Sequence, residues 1–465
     1  MTSIYEGISP AFALLRSRAE LEIGVVMIGI SKLYCGAVEP SDVLRYKRLS
    51  NKLPSDLLQF SVDKKPVVVW NCTRTCNLKC IHCYAGSDAH HYDQLSTSEA
   101  KTMIDDLAQF GAPVLLFSGG EPCVREDLCE LMHYAKDRGM RVVISTNGTL
   151  ITPQLAKEFA KVGLSYVGVS LDGARETHDK FRGVPGSFDR SLEGLKNAQD
   201  AGIKVGLRMT INKLNWREID DVFDVMEQRN INRACFYHLV YTGRGSALID
   251  EDLNHEETRA AVRKIMDRTR AWFERGGRPE ILTVDNHADG PFVYLETLKE
   301  DPARAAEIMQ LLQWNQGNST GAGIACVSWD GEVYADQFWR HFSFGNVKNR
   351  PFSEIWSDVS RTNEQSELMF RLKNKRPFVK GRCSQCKWLD ICNGNFRVRA
   401  EAATGDLWAS DPACYLTDEE IGLGSVTGAG TSAATGASTT GASATGAAPG
   451  TQGALDKQLC SASEV

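Results

Sequence analysis

Short apolar runs rich in β-branched residues alternate with amphipathic segments between residues 67 and 240. The apolar runs span residues 67–70, 114–117, 141–145, 166–171, 204–211 and 234–240. The segments between them, such as 98–110 and 189–201, repeat apolar residues at helical spacing. Strands that alternate with helices of this length predict βαβ units and a parallel sheet. Six units are too few for the usual eight-stranded barrel, so the pattern predicts an open partial (β/α)6 barrel of the TIM type.

Changes of composition along the chain predict five regions. They are an N-terminal lead-in segment (1–64), the partial barrel (65–245), a helical connection (246–316), a small cysteine-rich domain (317–423) and a tail (424–465). The cysteine-rich domain has short segments and many aromatic residues, which predicts a fold held together by bound metal. In the tail, 27 of the 30 residues from 425 to 454 are Gly, Ala, Ser or Thr. They bury too little apolar surface to offset chain entropy, so we expect the tail to be disordered.

The charge balance gives no sign of a polyanionic partner. The 465 residues include 53 basic and 59 acidic side chains, a formal charge of −6, so we expect neither nucleic acid nor a membrane as a partner. The longest apolar stretch, 23–30, is far shorter than the roughly 20 residues of a membrane span. Glu20 and Glu22 lie where a signal peptide would be basic. The sequence therefore predicts a cytoplasmic protein.

Two groups of cysteines carry the first chemical information. Four of the fourteen cysteines lie between residues 72 and 83, and three lie between 383 and 392. In a reducing compartment, such dense groups indicate metal or iron–sulfur sites rather than disulfides.

The first group contains the spacing C-x3-C-x2-C, formed by Cys76, Cys80 and Cys83. Clusters that only transfer electrons normally have four cysteine ligands. Three thiolates leave one iron of a [4Fe–4S] cluster open for a substrate or cofactor, as in catalytic zinc sites. Cys72 is an alternative fourth ligand, although it lies on the end of the preceding strand.

Polar motifs follow several predicted strands, at the edge of a parallel sheet where ligands bind. They are Ser118-Gly119-Gly120-Glu121-Pro122, Ser145-Thr146-Asn147-Gly148 and Ser170-Leu171-Asp172-Gly173, with Arg208 on the fifth strand. The cysteine loop followed by these motifs resembles the radical S-adenosylmethionine (SAM) enzymes. In that family SAM chelates the open iron, and one electron from the cluster cleaves it to a 5′-deoxyadenosyl radical. A strand-to-helix turn without a ligand is the alternative for the glycine motif alone.

The resemblance implies a set of cofactor contacts. The glycine motif would hold the SAM amino group, Ser170 and Arg208 its carboxylate and ribose, and His82 its adenine. The implied cofactor-binding residues are His82, Gly119, Gly120, Glu121, Ser145, Asn147, Ser170, Asp172 and Arg208. No side chain is assigned as catalytic, because the radical is borne by the cofactor.

The second group, Cys383-x2-Cys386-x5-Cys392 with Cys414, supplies four thiolates. Four cysteines suit zinc or iron–sulfur equally. The spacing resembles the SPASM-type auxiliary domain of radical SAM maturases, which implies a [4Fe–4S] cluster. The chain departs from that family's second auxiliary cluster, because Asp336 and Phe396 stand where cysteines are expected. Cys326 with Asp336 either binds a second cluster or is a buried free thiol beside an exposed acid.

Motifs beyond the core resemble the tetrapyrrole-modifying branch of the family. They are His238-Leu-Val-Tyr241-x-Gly-Arg244, Asn286-His-Ala-Asp289-Gly, Asp336-Gln-Phe-Trp-Arg340-His341 and Asp411-Pro-Ala-Cys414-Tyr. The resemblance implies oxidative decarboxylation of two propionates of iron-coproporphyrin III to vinyl groups, giving haem b. Forming a vinyl group requires an electron acceptor, which an auxiliary cluster provides, whereas acetate removal requires no matching oxidation. The implied partners are an iron-porphyrin and a one-electron reductant such as flavodoxin or ferredoxin.

Cationic, imidazole and phenol side chains are candidates for substrate binding because an iron-porphyrin carries carboxylates and a metal. They are His238, Tyr241, Arg244, Arg340 and His341, with Arg397 and Arg399 as further candidate anchors. For each of them an ordinary structural role is the alternative. At the level of function, the alternatives are removal of acetate from didecarboxysirohaem, dioxo-haem formation, a peptide maturase and a non-enzymatic electron-transfer or zinc protein.

Overall fold

The computed structural model describes residues 27–37 and 65–424, and within them eleven strands form one sheet. The strands are β1 (Met27–Gly29), β2 (Val67–Thr73), β3 (Val114–Gly119), β4 (Arg141–Thr146), β5 (Val167–Ser170), β6 (Val205–Ile211), β7 (Arg233–His238), β8 (Glu280–Val284), β9 (Ile324–Val327), β10 (Glu332–Tyr334) and β11 (Gly345–Asn346). Their order is β1-β8-β7-β6-β5-β4-β3-β2-β9-β10-β11. The ends of this order do not pair within the described residues, so the predicted open partial barrel is confirmed.

The strands from β2 to β8 run parallel and pair in chain order. All six predicted strands are present as β2 to β7. The prediction of a purely helical connection at 246–316 is wrong, because β8 lies inside it and pairs parallel with β7. Its sequence, Glu-Ile-Leu-Thr-Val, is short and fully buried, and a short apolar run cannot be assigned to strand or helix from its spacing alone.

Helices cover the outer face of the sheet. In the described residues they are α1 (Ile30–Cys35), α2 (Thr97–Phe110), α3 (Leu128–Asp137), α4 (Pro153–Val162), α5 (Arg175–Arg182), α6 (Ser187–Asp200), α7 (Ile219–Gln228), α8 (His255–Glu274), α9 (Asp289–Glu300), α10 (Pro302–Asn315), α11 (Phe352–Ser357), α12 (Glu364–Lys373), α13 (Leu389–Cys392), α14 (Arg397–Thr404) and α15 (Asp418–Ile421). The predicted helices at 98–110 and 189–201 are confirmed as α2 and α6.

Local sequence signals set the ends of α2. Ser96 accepts a hydrogen bond from the backbone N–H of Glu99, whose carboxylate accepts one from the N–H of Ser96 in return. This capping box satisfies backbone donors that the first turn leaves free. Gly111 ends the helix in the left-handed conformation. The buried face of α2, which includes Met103, Ile104 and Leu107, packs into the main core.

The described part of the lead-in segment belongs to the barrel. β1 pairs antiparallel with β8, and the hydroxyl of Ser31 accepts a hydrogen bond of 2.8 Å from the N–H of Ile281. No strand was predicted at 27–29 from the sequence, because edge pairing with a strand about 250 residues away leaves no local signal. The predicted tail lies outside the described residues.

The C-terminal segments continue the same sheet. β9 pairs parallel with β2 and starts a short antiparallel ribbon with β10 and β11. The segment from Arg376 to Ile421 has short helical turns, as expected of a small cysteine-rich domain. No helix in the described residues has the length and apolarity that a membrane crossing requires.

Candidate functional site

The three cysteines of the first group lie on the loop after β2, at the carboxyl edge of the sheet. Each sulfur accepts a hydrogen bond: Cys76 from the N–H of Leu78 (3.4 Å), Cys83 from the N–H of Ser87 (3.5 Å) and Cys80 from the guanidinium of Arg182 (3.5 Å). Burial raises the pKa of the Cys76 thiol to about 12, so a bound metal would be needed to hold it as a thiolate. The donor set fits an iron–sulfur cluster.

Cys72 lies on the other face of the strand. Side chains alternate along β2, so Cys72 shares the core-facing side with Val68 and Trp70, whereas Val69 lines the cavity beside the loop. Cys72 is fully buried, and burial raises its pKa to about 12. The geometry therefore favours three cysteine ligands at this site over four.

The glycine loop after β3 lies directly against the cysteine loop. A Cβ atom on Gly119 would lie 2.3 Å from the carbonyl oxygen of Thr73, and one on Gly120 would lie 2.2 Å from that of Thr75. Both contacts are closer than real Cβ atoms tolerate, and Gly119 also has a φ of +131°. Only glycine permits this approach, so the backbone of the loop borders the cavity.

Glu121 is a positioning residue in this structure. Its buried carboxylate accepts hydrogen bonds from the Thr146 hydroxyl (2.6 Å), the Asn147 N–H (2.8 Å) and the Cys123 N–H (3.0 Å). Burial raises the pKa of this carboxyl group, although the three hydrogen bonds lower it. Glu121 thus ties the glycine loop to the end of β4, and the predicted contact of its carboxylate with the SAM amino group stays a prediction.

The ends of β4, β5 and β6 complete this wall of the cavity. Ser145, Asn147, Ser170 and Arg208 line it. The amide of Asn147 donates to Oδ1 of Asn77 in the cysteine loop at 2.8 Å. The wall and the cysteine loop are therefore held together by side chains that the sequence placed far apart.

His82 lies between the cavity and a buried ion pair. Its ring centroid lies 5.4 Å from that of Phe181, and burial lowers its pKa to about 4, so the ring is neutral. Nε2 lies 3.6 Å from the carboxylate of Asp172, which pairs with Arg182 at 2.6 Å. Asp172 does not line the cavity. It orients His82 and Arg182, so the predicted direct cofactor contact of Asp172 stays a prediction.

The glycine motif and the ends of β4, β5 and β6 form what we call the cofactor wall of the cavity. His238, Asp285, Gln337 and Phe338 line the same cavity outside that wall and the cysteine loop, and we call this part of the lining the second compartment. Oδ2 of Asp285 and Oε1 of Gln337 are buried without a hydrogen-bond partner. Buried polar atoms are rarely left unpaired, so this compartment is built for a polar ligand.

Asp285 is a cavity residue that the sequence analysis missed. It follows β8 with a φ of +67°, a conformation that is uncommon for residues other than glycine. Burial raises its pKa well above the usual range, although the guanidinium groups of Arg399 and Arg208 lower it. A polar residue directly after an apolar run was the available signal, but β8 had not been recognised as a strand.

The predicted substrate residues fall in different places, and His238 alone among them lines the cavity. Arg244 donates to the carbonyls of Cys80 (2.7 Å) and Ser87 (2.8 Å) and so clamps the cysteine loop. The Tyr241 hydroxyl donates to Asp252 at 2.5 Å, at a separate surface groove.

Arg340 and His341 lie in the C-terminal segment. The guanidinium of Arg340 lies 4.2 Å from the ring centroid of Trp329 and has an unpaired buried NH1. His341 is half exposed and pairs with Glu401 at 2.9 Å. Their roles toward a substrate stay predictions.

Arg397 and Arg399 do not face a ligand. Both are fully buried, and Arg397 donates to the carbonyls of Leu407 (3.1 Å) and Ala409 (2.6 Å). Arg399 forms two hydrogen bonds to Asp411, of 2.9 and 2.8 Å. The prediction that they anchor substrate carboxylates is wrong, because both buried guanidinium groups already donate hydrogen bonds to acceptors within the protein.

The four cysteines of the second group lie near enough to one another to interact electrostatically. The pKa of the Cys392 thiol is raised by burial and by the charges of the other three sulfurs, those of Cys383, Cys414 and Cys386. The guanidinium of Arg382 donates to the Cys414 sulfur at 3.7 Å. A set of four thiolates with a cation beside it fits an iron–sulfur cluster.

Cys326 lies on β9, apart from this group. Its buried sulfur accepts a hydrogen bond of 3.5 Å from the Asn71 amide. Asp336 is buried, not exposed as the alternative expected, and accepts from the Thr320 hydroxyl (2.7 Å) and the Phe338 N–H (2.9 Å). Both groups already have protein partners, and a second auxiliary cluster at Cys326 stays a prediction.

Comparison with known proteins agrees with this geometry. The Radical SAM superfamily model matches residues 70–226, and an iron-sulfur cluster-binding domain (SPASM) matches 319–387. The structure of native anSMEcpe with bound AdoMet superposes with a TM-score of 0.57 at 19% identity, covering 75% of this chain and 93% of that one.

Curated relatives match over most of the chain. The Fe-coproporphyrin III synthase of Methanosarcina barkeri is 65% identical, covering 85% of this chain and 99% of the relative. The pre-heme d1 synthase of Dinoroseobacter shibae is 38% identical (77% and 88% covered). The AdoMet-dependent heme synthase of M. barkeri is 33% identical (75% and 95% covered).

The chain therefore belongs to the radical SAM enzymes that carry a C-terminal SPASM domain. Within that class, the three relatives described above are enzymes named for iron-coproporphyrin III, pre-heme d1 and haem. It is an enzyme that binds SAM and a [4Fe–4S] cluster in the barrel and auxiliary iron–sulfur in the SPASM domain.

Proposed function

We propose that this protein acts on an iron tetrapyrrole, and that iron-coproporphyrin III is the product of its reaction. The observation that carries the proposal is the 65% identity to an Fe-coproporphyrin III synthase, against 33% to the AdoMet-dependent heme synthase of the same organism. Removal of acetate groups from didecarboxysirohaem is the fitting reaction class, because it leaves the propionate side chains in place.

Three predicted cysteines, Cys76, Cys80 and Cys83, would hold the first cluster, and SAM bound there supplies radical chemistry of the 5′-deoxyadenosyl type. The protein's own contribution is positioning. The backbone of Gly119 and Gly120 borders the cofactor side of the cavity, while the compartment around His238 receives the tetrapyrrole. The rings of His82 and Phe338 also line this cavity.

Oxidative decarboxylation of iron-coproporphyrin III to haem b, which the sequence analysis favoured, is the second candidate. Three AdoMet-dependent heme synthases at 30–33% identity support it. That preference rested partly on Cys326 as part of a second electron acceptor. The hydrogen bond of Cys326 with Asn71 and those of Asp336 within its own turn give that acceptor less support.

Both candidate reactions use a reductant for the first cluster, and we infer a one-electron carrier such as flavodoxin or ferredoxin. The SPASM cysteines Cys383, Cys386, Cys392 and Cys414 would hold the auxiliary cluster.

The test is anaerobic incubation of the reconstituted full chain with SAM and dithionite, read by mass spectrometry. Didecarboxysirohaem should lose the mass of acetic acid in two successive steps, with formation of 5′-deoxyadenosine, and iron-coproporphyrin III should stay unchanged. Two losses of carbon dioxide plus two hydrogens from iron-coproporphyrin III would instead establish haem formation. Conversion of neither tetrapyrrole would overturn the proposed substrate class. A Cys80→Ala variant controls for reactions that do not depend on the cluster.

A further inference from the structure

His238 ends β7 and contributes its ring to the second compartment of the cavity. Its Nε2 lies 2.9 Å from Oδ2 of Asp289, and the two side chains are 6% and 0% exposed. Asp289 therefore fixes the orientation of the His238 ring, and the ring also lines the cavity.

The hydrogen bond to Asp289 fixes which nitrogen carries the hydrogen. The Tyr415 hydroxyl donates to the other oxygen of Asp289 at 2.7 Å. A carboxylate oxygen accepts, so Nε2 of His238 donates to Asp289, and Nδ1 is the ring nitrogen that this hydrogen bond leaves for a ligand.

The arrangement matches what metal-binding histidines require. Such residues usually donate their second ring N–H to a carboxylate, which fixes the orientation of the ring and raises its basicity. Imidazole is also a common protein ligand of haem iron. A buried His–Asp pair is often merely structural, but this histidine also lines the cavity that holds the unpaired oxygens of Asp285 and Gln337.

We propose that His238 binds the iron of the tetrapyrrole substrate through Nδ1, with Asp289 and Tyr415 as positioning residues. The inference rests on the proposed function, because it requires an iron tetrapyrrole in the cavity. It would fix the distance of the macrocycle from the cofactor wall. Tyr415 follows Cys414, so the same contacts join the iron site to the auxiliary cluster.

Other histidines near the site fit the role less well. His341 is half exposed and pairs with Glu401, and His82 lies in the cysteine loop against Phe181. His287 is buried, but it does not line the cavity.

The experiment is an anaerobic titration of the reconstituted full chain with ferric didecarboxysirohaem, the substrate of the proposed reaction, followed by the Soret band and the EPR signal of the tetrapyrrole iron. The parent should give a nitrogen-ligated spectrum. His238→Gly should lose that signature, and added imidazole should restore it by binding in the vacated space. Asp289→Asn should retain ligation with about tenfold weaker tetrapyrrole binding, since loss of a supporting carboxylate costs about 10- to 100-fold in metal affinity.

Two further variants test whether another histidine binds the iron. His255→Ala removes an exposed histidine bonded to the Pro412 carbonyl and should leave the spectrum unchanged. Loss of ligation in His341→Ala, or a parent-like spectrum in His238→Gly, would overturn the assignment while leaving the proposed reaction intact. Failure of the parent to bind ferric didecarboxysirohaem would overturn both the assignment and the proposed substrate class.

Discussion

The cysteines of the first loop differ from their neighbour Cys72 in their position. Cys76, Cys80 and Cys83 lie on the loop after β2, border the cavity and have donors to their sulfurs, while Cys72 lies on β2 and packs into the core. Residue type alone does not separate them.

We expect Cys80→Ala to lose the first cluster and reduce 5′-deoxyadenosine formation to background, because two thiolates do not hold the cluster. Cys72→Ala is the matched control, and should keep its iron and its SAM cleavage at a packing cost of about 1 kcal/mol. Iron content and 5′-deoxyadenosine are measured on both reconstituted proteins. Loss of the cluster in Cys72→Ala would show that four cysteines ligate it.

Asp285 gives a prediction about pH. Its folded pKa lies well above the unfolded value of about 3.9, through burial and despite Arg399 and Arg208. The folded state therefore holds the proton more tightly, so this group's contribution to stability is full below the unfolded pKa and is lost as pH rises through the folded pKa.

Asp285→Asn keeps the shape and tolerates a positive φ. We expect its free energy of unfolding to exceed that of the parent. The difference should grow from pH 5.5 to pH 8 and reach about 1–3 kcal/mol. Anaerobic thermal unfolding of the holoenzyme across this range measures the difference. The exposed Asp93→Asn controls for loss of a carboxylate, and a difference independent of pH would contradict the argument.

At the scale of elements, the site is made where the carboxyl ends of adjacent strands meet. β2, β3, β4, β5 and β6 pair side by side, so the loops that follow them face one cavity. The contact between the loops after β2 and β3 depends on glycine.

Gly120→Ala should lower SAM cleavage by about 100-fold, because the new Cβ would push the glycine loop off the Thr75 carbonyl and misplace the cofactor wall. Gly139→Ala is the control. Its turn after α3 has a φ of +82° with nothing within 4 Å of the new Cβ, so it should cost about 1–2 kcal/mol of stability at unchanged cleavage. Initial rates of 5′-deoxyadenosine formation decide between them, and equal rates would contradict the steric account.

At the scale of the whole molecule, a buried ion pair in the cysteine-rich domain joins that domain to the barrel. Arg399 pairs with Asp411 and also donates to the carbonyls of Leu239 (3.1 Å) and Asp285 (2.8 Å). Asp411 in turn accepts from the N–H of Phe396 at 2.9 Å. One guanidinium therefore spans the end of β7, the end of β8 and the loop that carries Cys414.

Arg399→Met should destabilise the protein by about 3–5 kcal/mol, because Asp411 would stay buried without its partner. Arg376→Met removes an exposed pair with Asp390 and should cost less than about 1 kcal/mol. Denaturant unfolding under anaerobic conditions gives both values, and iron analysis should show loss of auxiliary iron in Arg399→Met alone. Equal unfolding free energies for the two variants would refute the bridging role.

The sequence by itself determined the repeating strand–helix pattern, the six central strands and both cysteine groups. These signals are local: periodicity, turn residues and spacing are read within a few residues of one another. The class of the enzyme followed from them, because its cofactor chemistry requires those residues close together in the chain.

Only the tertiary structure decided which polar side chains face the cavity. The sequence makes Arg244, Arg397 and Arg399 equal candidates for anchoring substrate carboxylates. In the structure their guanidinium groups instead contact carbonyls and a carboxylate of the protein itself. Asp285 and β8 went unrecognised, and β1 pairs with a strand about 250 residues away. Burial and long-range pairing set these roles, and they exist only once separate segments are packed together.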